Sequence, residues 1–271
     1  MNKQINSKKT HTNIKIDKIP LSSAQQRFFL MSNYFENSDV YNMSLGITIN
    51  KDLNKDKLRK ALITLSQSNS TLSIVFNNHD GKVTQSLTKI DDDNLPFDFI
   101  ELRNKKYSNS DNIRPILRKF IKKPFDINGG ILWRFLLIKI NSNKFYIYLV
   151  MHHLISDAWS FASFFRKLSS IYMDKNFIPI KDNYFLKTFI PNELKYLKDV
   201  QAISTDQLFW KTYLNEDFSE LKLPFDQSQT IKNKDFSNLI CNKLSNEELV
   251  KLKFFAGDNS STLYIVLLAS Y

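Results

Sequence analysis

Two apolar runs, joined by a short polar link and followed at once by two histidines, constrain this chain more than any other feature. Residues 131–140 and 144–150 are strongly apolar and flank Asn141-Ser142-Asn143, a pattern that predicts an antiparallel hairpin in the middle of the fold. Directly behind it stands Met151-His152-His153-Leu154-Ile155-Ser156-Asp157-Ala158-Trp159-Ser160. A helix is predicted next, because Phe161, Phe164, Phe165, Leu168, Ile171 and Tyr172 recur on one side. The histidines therefore lie where a buried strand ends and a helix begins, a common position for functional side chains.

The rest of the chain alternates in the same way. Order is predicted to begin at Ile19-Pro20-Leu21, after a polar leader over residues 1–17. Ser22 and Gln25 form a capping-box pattern opening a helix to about Tyr34. Tyr41, Met43, Leu45, Ile47 and Ile49 alternate with small or polar residues, which predicts a half-buried strand. Leu58, Ala61, Leu62 and Leu65 mark one helix face. Residues 71–76 and 83–87 are predicted strands around a turn at Asp80-Gly81. Then come a polar, acidic stretch and a helix over about 110–121. Beyond the histidines, helices are predicted over about 191–202 and 206–214, and a strand over 236–243. A capped helix opens at Ser245 with Glu248, and another opens at Ser261-Thr262. Strands alternating with helices, several strands antiparallel, imply an α/β (α+β) class with helices packed on a mixed sheet.

Composition narrows the function classes. With 42% hydrophobic residues, 22 Phe and only 5 Gly, the 271-residue chain has material for a packed core and is not a disordered segment. The formal charge of +11 comes from lysines scattered singly, with only seven arginines. A nucleic-acid binder concentrates its cations on a stripe or arm, so no nucleic acid is expected as partner. The scattered lysines make a solvated surface whose field still attracts acidic proteins or a phosphate-bearing arm. No apolar stretch approaches the roughly 20 residues of a membrane span. A single cysteine, Cys241, excludes an internal disulfide, and the N-terminus has no apolar signal core; both suit a cytoplasmic protein.

Of four histidines, His11 falls in the leader and His79 in a polar turn. His152 and His153 are the candidates for chemistry. Neighbours on a strand point to opposite faces, so the pair is poorly placed to share a metal ion. No Cys/His cluster supports them, and no metal is expected. Taken locally, two strand-end histidines with ordinary packing roles are the better explanation of the pair.

The longer string changes this. HHLISDAWS resembles the HHxxxDG motif of condensation domains of nonribosomal peptide synthetases, which share their fold with chloramphenicol acetyltransferase. Ser22, Ala24, Gln25 and Arg27 fit the S-x-A-Q-x-R opening of that family. Pro124-Phe125-Asp126 with Gly130, Leu132 and Arg134 resembles the segment preceding its histidines. Phe209-Trp210 and Leu223-Pro224-Phe225-Asp226 resemble its linker landmarks, and residues 262–271 its second-lobe opening helix. These landmarks occur in family order. Both histidines are kept, unlike in cyclisation domains, and Trp159 precedes Ser160, unlike the usual order in epimerisation domains.

The resemblance implies a chloramphenicol acetyltransferase-like N-terminal lobe over residues 18–180. Residues 181–271 are then an inter-lobe linker and the start of an incomplete second lobe. It implies amide formation between a donor thioester and an acceptor amine, both presented on phosphopantetheine arms of carrier proteins, with no tightly bound cofactor. His153 would face the tunnel and accept or guide the amine's proton, since an imidazole titrates near neutrality. His152 would pack or hydrogen-bond on the opposite face, and Asp157 would pair with an arginine and hold the loop. Arg27, Ala158, Trp159 and Ser160 are motif support. Three departures stand out. Ala158 replaces a glycine, Ser73 replaces an arginine in the family's R-H-E-x-L-R-T-x-F segment, and the chain covers only part of a two-lobed domain. Two alternatives stay open: a noncatalytic carrier-binding module, remnant or split subunit, or a stand-alone CoA-dependent acetyltransferase-like enzyme.

Overall fold

A computed structural model describes residues 18–34, 39–102, 113–174, 176–214 and 243–270. The leader, His11, the beginning of the helix expected from residue 110, Leu223-Pro224-Phe225-Asp226 and Cys241 lie outside these residues. So does the strand expected over 236–243, except for Lys243, which has no regular structure. The chain divides at Ser219 into two compact units.

The first unit is built on a four-stranded sheet in the order β1-β6-β5-β4. The strands are β1 (Asn42–Ile49), β4 (Phe97–Glu101), β5 (Trp133–Asn141) and β6 (Lys144–His152). The hairpin β5–β6 is antiparallel and central, β1 adds antiparallel to β6, and β4 adds parallel to β5. The sheet is therefore mixed. A separate ribbon pairs β2 (Ile74–His79) with β3 (Lys82–Leu87). Its two-residue turn holds Asp80 at φ 52° and Gly81 at φ 82°, the left-handed pair that a tight hairpin of native twist requires.

Both faces of the central hairpin are covered, and that explains its continuous apolar sequence. On one face Trp133, Phe135 and Leu137 of β5, with Phe145, Ile147, Leu149 and Met151 of β6, join the main core. Helices α2 (Lys55–Ser68) and α4 (Ala158–Met173) supply the rest of that layer through Leu58, Leu62, Leu65, Phe161, Phe164 and Leu168. Phe164 sets its ring against Trp133 and Phe135, with centroids 6.0 and 6.3 Å away. On the other face Leu136 and Ile138 meet Leu117 and Phe120 of α3 (Arg114–Lys122).

Several boundaries differ from the sequence expectation, each for a local reason. Residues 71–76 are not one strand. A 3-10 turn occupies Ser70–Ser73, and β2 begins at Ile74. The Asn69 side chain accepts from the Thr71 N–H at 3.2 Å, and the Leu72 carbonyl accepts from the Trp133 indole at 2.9 Å. These bonds hold the backbone out of the ladder. The helices past residue 184 form a π-turn at Phe185–Phe189, then α5 (Ile190–Tyr196) and α6 (Val200–Tyr213). The break falls earlier than expected because Asp199 caps α6, accepting from Gln201 and Ala202. Strand β4 was hidden in the acidic stretch. It is short, lies at the sheet edge and alternates only Phe97, Phe99 with Asp98.

In the second unit α7 (Asn246–Asp258) opens with the expected capping box between Ser245 and Glu248. Helix α8 (Leu263–Ala269) follows, capped by Thr262. No helix among the described residues is long and apolar enough to cross a membrane.

Candidate active site

Strand β6 runs two residues further than expected and ends on His152. The chain then turns over 153–157 and enters α4. Because β6 alternates, its last residue and the next one part company. His152 is 3% exposed, packed edge-on against Phe125 with centroids 6.1 Å apart. Its Nδ1 accepts from the Leu154 N–H at 3.1 Å, and Ser32 Oγ lies 3.5 Å from Nε2. Burial, then the neighbouring charge of His153, brings the imidazole down to about 4. His152 is thus a neutral packing residue that braces the turn.

His153 faces the other way. Its N–H donates to the Tyr41 carbonyl at 2.9 Å, which ties the turn to the entry of β1. Its half-buried side chain lines a cleft of about 380 Å³ together with Phe28, Thr71, Asp157, Phe185 and Phe189. A smaller cavity of about 220 Å³ adjoins it, sharing Thr71, Ile155, Ser160 and Phe185. Phe28 comes from α1 (Ser23–Tyr34), whose start is fixed by the capping box between Ser22 and Gln25.

Asp157 holds the loop by a route other than the expected arginine pair. It is the N-cap of α4: its Oδ1 accepts from the Ser160 N–H at 2.8 Å and the Ser160 hydroxyl at 2.7 Å. The Ser160 hydroxyl side chain in turn accepts from the Asp157 N–H at 3.0 Å. The Ser160 side chain is also the main reason that the carboxyl lies below its ordinary range. Among the described residues no arginine pairs with Asp157. Ser73, at the family's arginine position, donates its hydroxyl to the Ser66 carbonyl instead. Ala158 opens α4 without a positive φ, so its Cβ meets no conformational obstacle.

Of the other motif residues, Ser22, Ala24 and Gln25 also line the cleft, whereas Arg27, Trp159 and Arg134 do not. Arg27 is exposed on α1, with its guanidinium carbon 5.6 Å from the Phe28 ring centroid. Trp159 is 81% exposed. Arg134 is buried and donates to the carbonyls of Phe120, Ile121 and Lys123 at the end of α3. Burial lowers its pKa to about 10, with Asp98 acting in the opposite direction. Sequence reasoning missed Phe28, Phe185 and Phe189. The last two form an i, i+4 pair, stacked at 5.5 Å, a spacing visible in the sequence.

The family model described as "Condensation domain" matches residues 15–271. The chain belongs to the condensation-domain family. It is 28% identical over 255 residues to bacitracin synthase 2 of Bacillus licheniformis, covering 93% of this chain and 9% of that protein. Its fold matches a variant of the starter condensation domain of the rhizomide synthetase RzmA, solved in complex with C8-CoA and Leu-SNAC. The TM-score is 0.68 at 17% identity, over 78% of this chain and 48% of that one. The first condensation domain of the calcium-dependent antibiotic synthetase, in complex with a substrate analogue, gives a TM-score of 0.64 at 17% identity, over 74% and 48%. The chain thus spans about half of the solved condensation-domain chains and less than a tenth of bacitracin synthase 2. The expected chloramphenicol acetyltransferase-like fold and the resemblance to condensation domains of nonribosomal peptide synthetases hold.

Proposed function

We propose that this chain carries the histidine of a condensation reaction, in which an acceptor amine attacks a donor thioester and an amide forms. The observation that carries this reading is the division of labour between two adjacent imidazoles. His152 is buried and engaged, whereas His153 lines an accessible cleft with no hydrogen bond to its ring among the described residues. An imidazole left free at a cleft is available to a substrate amine.

The bond changes are simple. The amine nitrogen bonds to the thioester carbonyl carbon, and the carbon–sulfur bond breaks. The proton lost by the nitrogen passes by way of the His153 imidazole to the departing thiolate, giving an amide and a free thiol. Such assistance is typically worth about 10² to 10⁴ in rate. The thiols are those of phosphopantetheine arms on carrier proteins, which are the partners of this reading. A cytoplasmic setting, where free thiols persist, suits it.

Asp157 and Ser160 support the same reading. Their mutual cap fixes the turn without an arginine, so Ser73 in the family's arginine position does not leave the His153 loop loose. The test is His153→Ala in the full-length protein, supplied with a loaded donor carrier and an acceptor carrier. Amide product is expected to fall by about 10² or more. Undiminished product would assign the amide chemistry elsewhere and leave carrier binding as the function of this cleft.

A further inference from the structure

We propose that Phe28 is a positioning residue for His153, holding the imidazole by ring stacking in place of a hydrogen bond. The inference rests on the reading of His153 as the proton-handling group. The two rings lie 4.5 Å apart between centroids and 15° from parallel. Imidazole rotation about its outer torsion is broad and roughly two-fold, so a ring without a partner samples several orientations. The common device is a carboxylate or carbonyl on one ring nitrogen, which fixes ring and tautomer together. The His153 ring has no such bond among the described residues, and a flat aromatic face is its ordered neighbour.

Phe28 is itself held. Tyr41 meets its ring edge-on at 5.4 Å and 79°, and the Tyr41 carbonyl receives the His153 N–H. One residue thereby anchors both the backbone of His153 and the ring that stacks on its side chain. From the helix side, Gln25, one turn earlier, reaches the Leu154 carbonyl beside His153 at 3.5 Å. The stack confines the imidazole plane and leaves both nitrogens at its rim. Neither tautomer is imposed, so the ring is free to take the amine proton and hand it on to the departing thiolate.

The experiment has a rate arm and a spectroscopic arm, both in the full-length protein. Phe28→Leu and Phe28→Met remove the ring but fill its space, and Phe28→Tyr keeps it. With loaded carriers, the Leu and Met variants are expected to lose roughly 10- to 100-fold in kcat with KM within about twofold, and Tyr to restore the rate. In proton NMR, the His153 imidazole resonances, identified by their loss in His153→Ala, are expected upfield through the Phe28 ring current. They should move downfield in the Leu and Met variants and stay in Tyr. Unmoved resonances, or moved resonances with kcat intact, overturn the proposal. A rate lost in His153→Ala but kept in Phe28→Leu removes the role of Phe28 and spares that of His153. Full rate in His153→Ala overturns the reading beneath it, and the resonances then decide by themselves whether Phe28 holds the ring.

Discussion

The side-chain amides of Gln25 and Gln85 face each other and exchange two hydrogen bonds, of 3.1 and 3.0 Å, in a site with almost no exposure. Each amide has a further partner: Gln25 Oε1 accepts from the Ser22 N–H, and Gln85 Nε2 donates to the Pro20 carbonyl. One pair thus joins the start of α1 to β3. Replacing either glutamine by leucine strands buried polar groups of the other and is expected to cost about 1–3 kcal/mol. The double leucine variant is expected to cost less than the sum, because neither side-chain amide is then left facing an apolar partner. Urea unfolding of the four proteins measures the cycle, and strict additivity would show that the pair does not act as a unit.

Asp157→Ala removes the N-cap of α4 and both of its bonds to Ser160. The expected loss is about 1 kcal/mol, within the usual range for caps. Asp157→Asn keeps an accepting oxygen and is expected to retain most of the stability at neutral pH. The carboxyl is held below its ordinary range, so its contribution is present above the unfolded value and fades as pH falls through the lower folded one. Wild type and the Asn variant should therefore converge in acid, as read from their denaturation midpoints.

How far the sequence carried can be judged from these same residues. The central hairpin was legible because both its faces are buried, and a run such as Phe135-Leu136-Leu137-Ile138 has few other uses. The capping boxes at Ser22 and Ser245 were legible because local chemistry decides them. Strand β4 was not, since an edge strand of five residues owes its existence to β5 and not to its own alternation. The turn at Ser70–Ser73 depends on an indole sixty-one residues away, which no local window contains. At the site, the two histidines and their opposite faces followed from strand alternation. The Phe28 stack did not, because it joins two elements that approach each other only in the fold.

His152 is expected to make the protein acid-sensitive. Its folded imidazole takes a proton at about 4, against 6.5 when free. Between these values the unfolded chain binds a proton that the folded chain refuses. The stability tied to neutral His152 is thus full above about 6.5 and is lost as pH falls towards about 4. A shift of that size is worth roughly 3 kcal/mol. Unfolding free energies between pH 7.5 and 4.5 are expected to fall less steeply in His152→Gln than in wild type. Equal slopes would mean that His152 is not held neutral.

Arg134 is expected to resist conservative replacement. Its planar fork reaches three backbone carbonyls at the end of α3 while its face covers the Phe125 ring at 4.1 Å. A lysine has neither the fork nor the plane. Arg134→Lys is therefore expected to lose about 2–4 kcal/mol, nearly as much as Arg134→Ala. A lysine variant as stable as wild type in urea would show that charge alone serves there.

The strand order has a consequence for how the molecule comes into being. Ile49 ends β1, and its partner Phe145 is made ninety-six residues later. At about 5–20 residues per second, β1 waits on the order of 5–20 s on the ribosome before β6 arrives. The hairpin of β5 and β6 closes locally, whereas β1 must be recruited across that distance. Nascent chains arrested before Lys144 should be cut by protease within β1, and chains arrested well beyond Ser160 should not. The tie from His153 to Tyr41 lies at the far end of that late closure, so a chain arrested before β6 is expected to lack the cleft around His153.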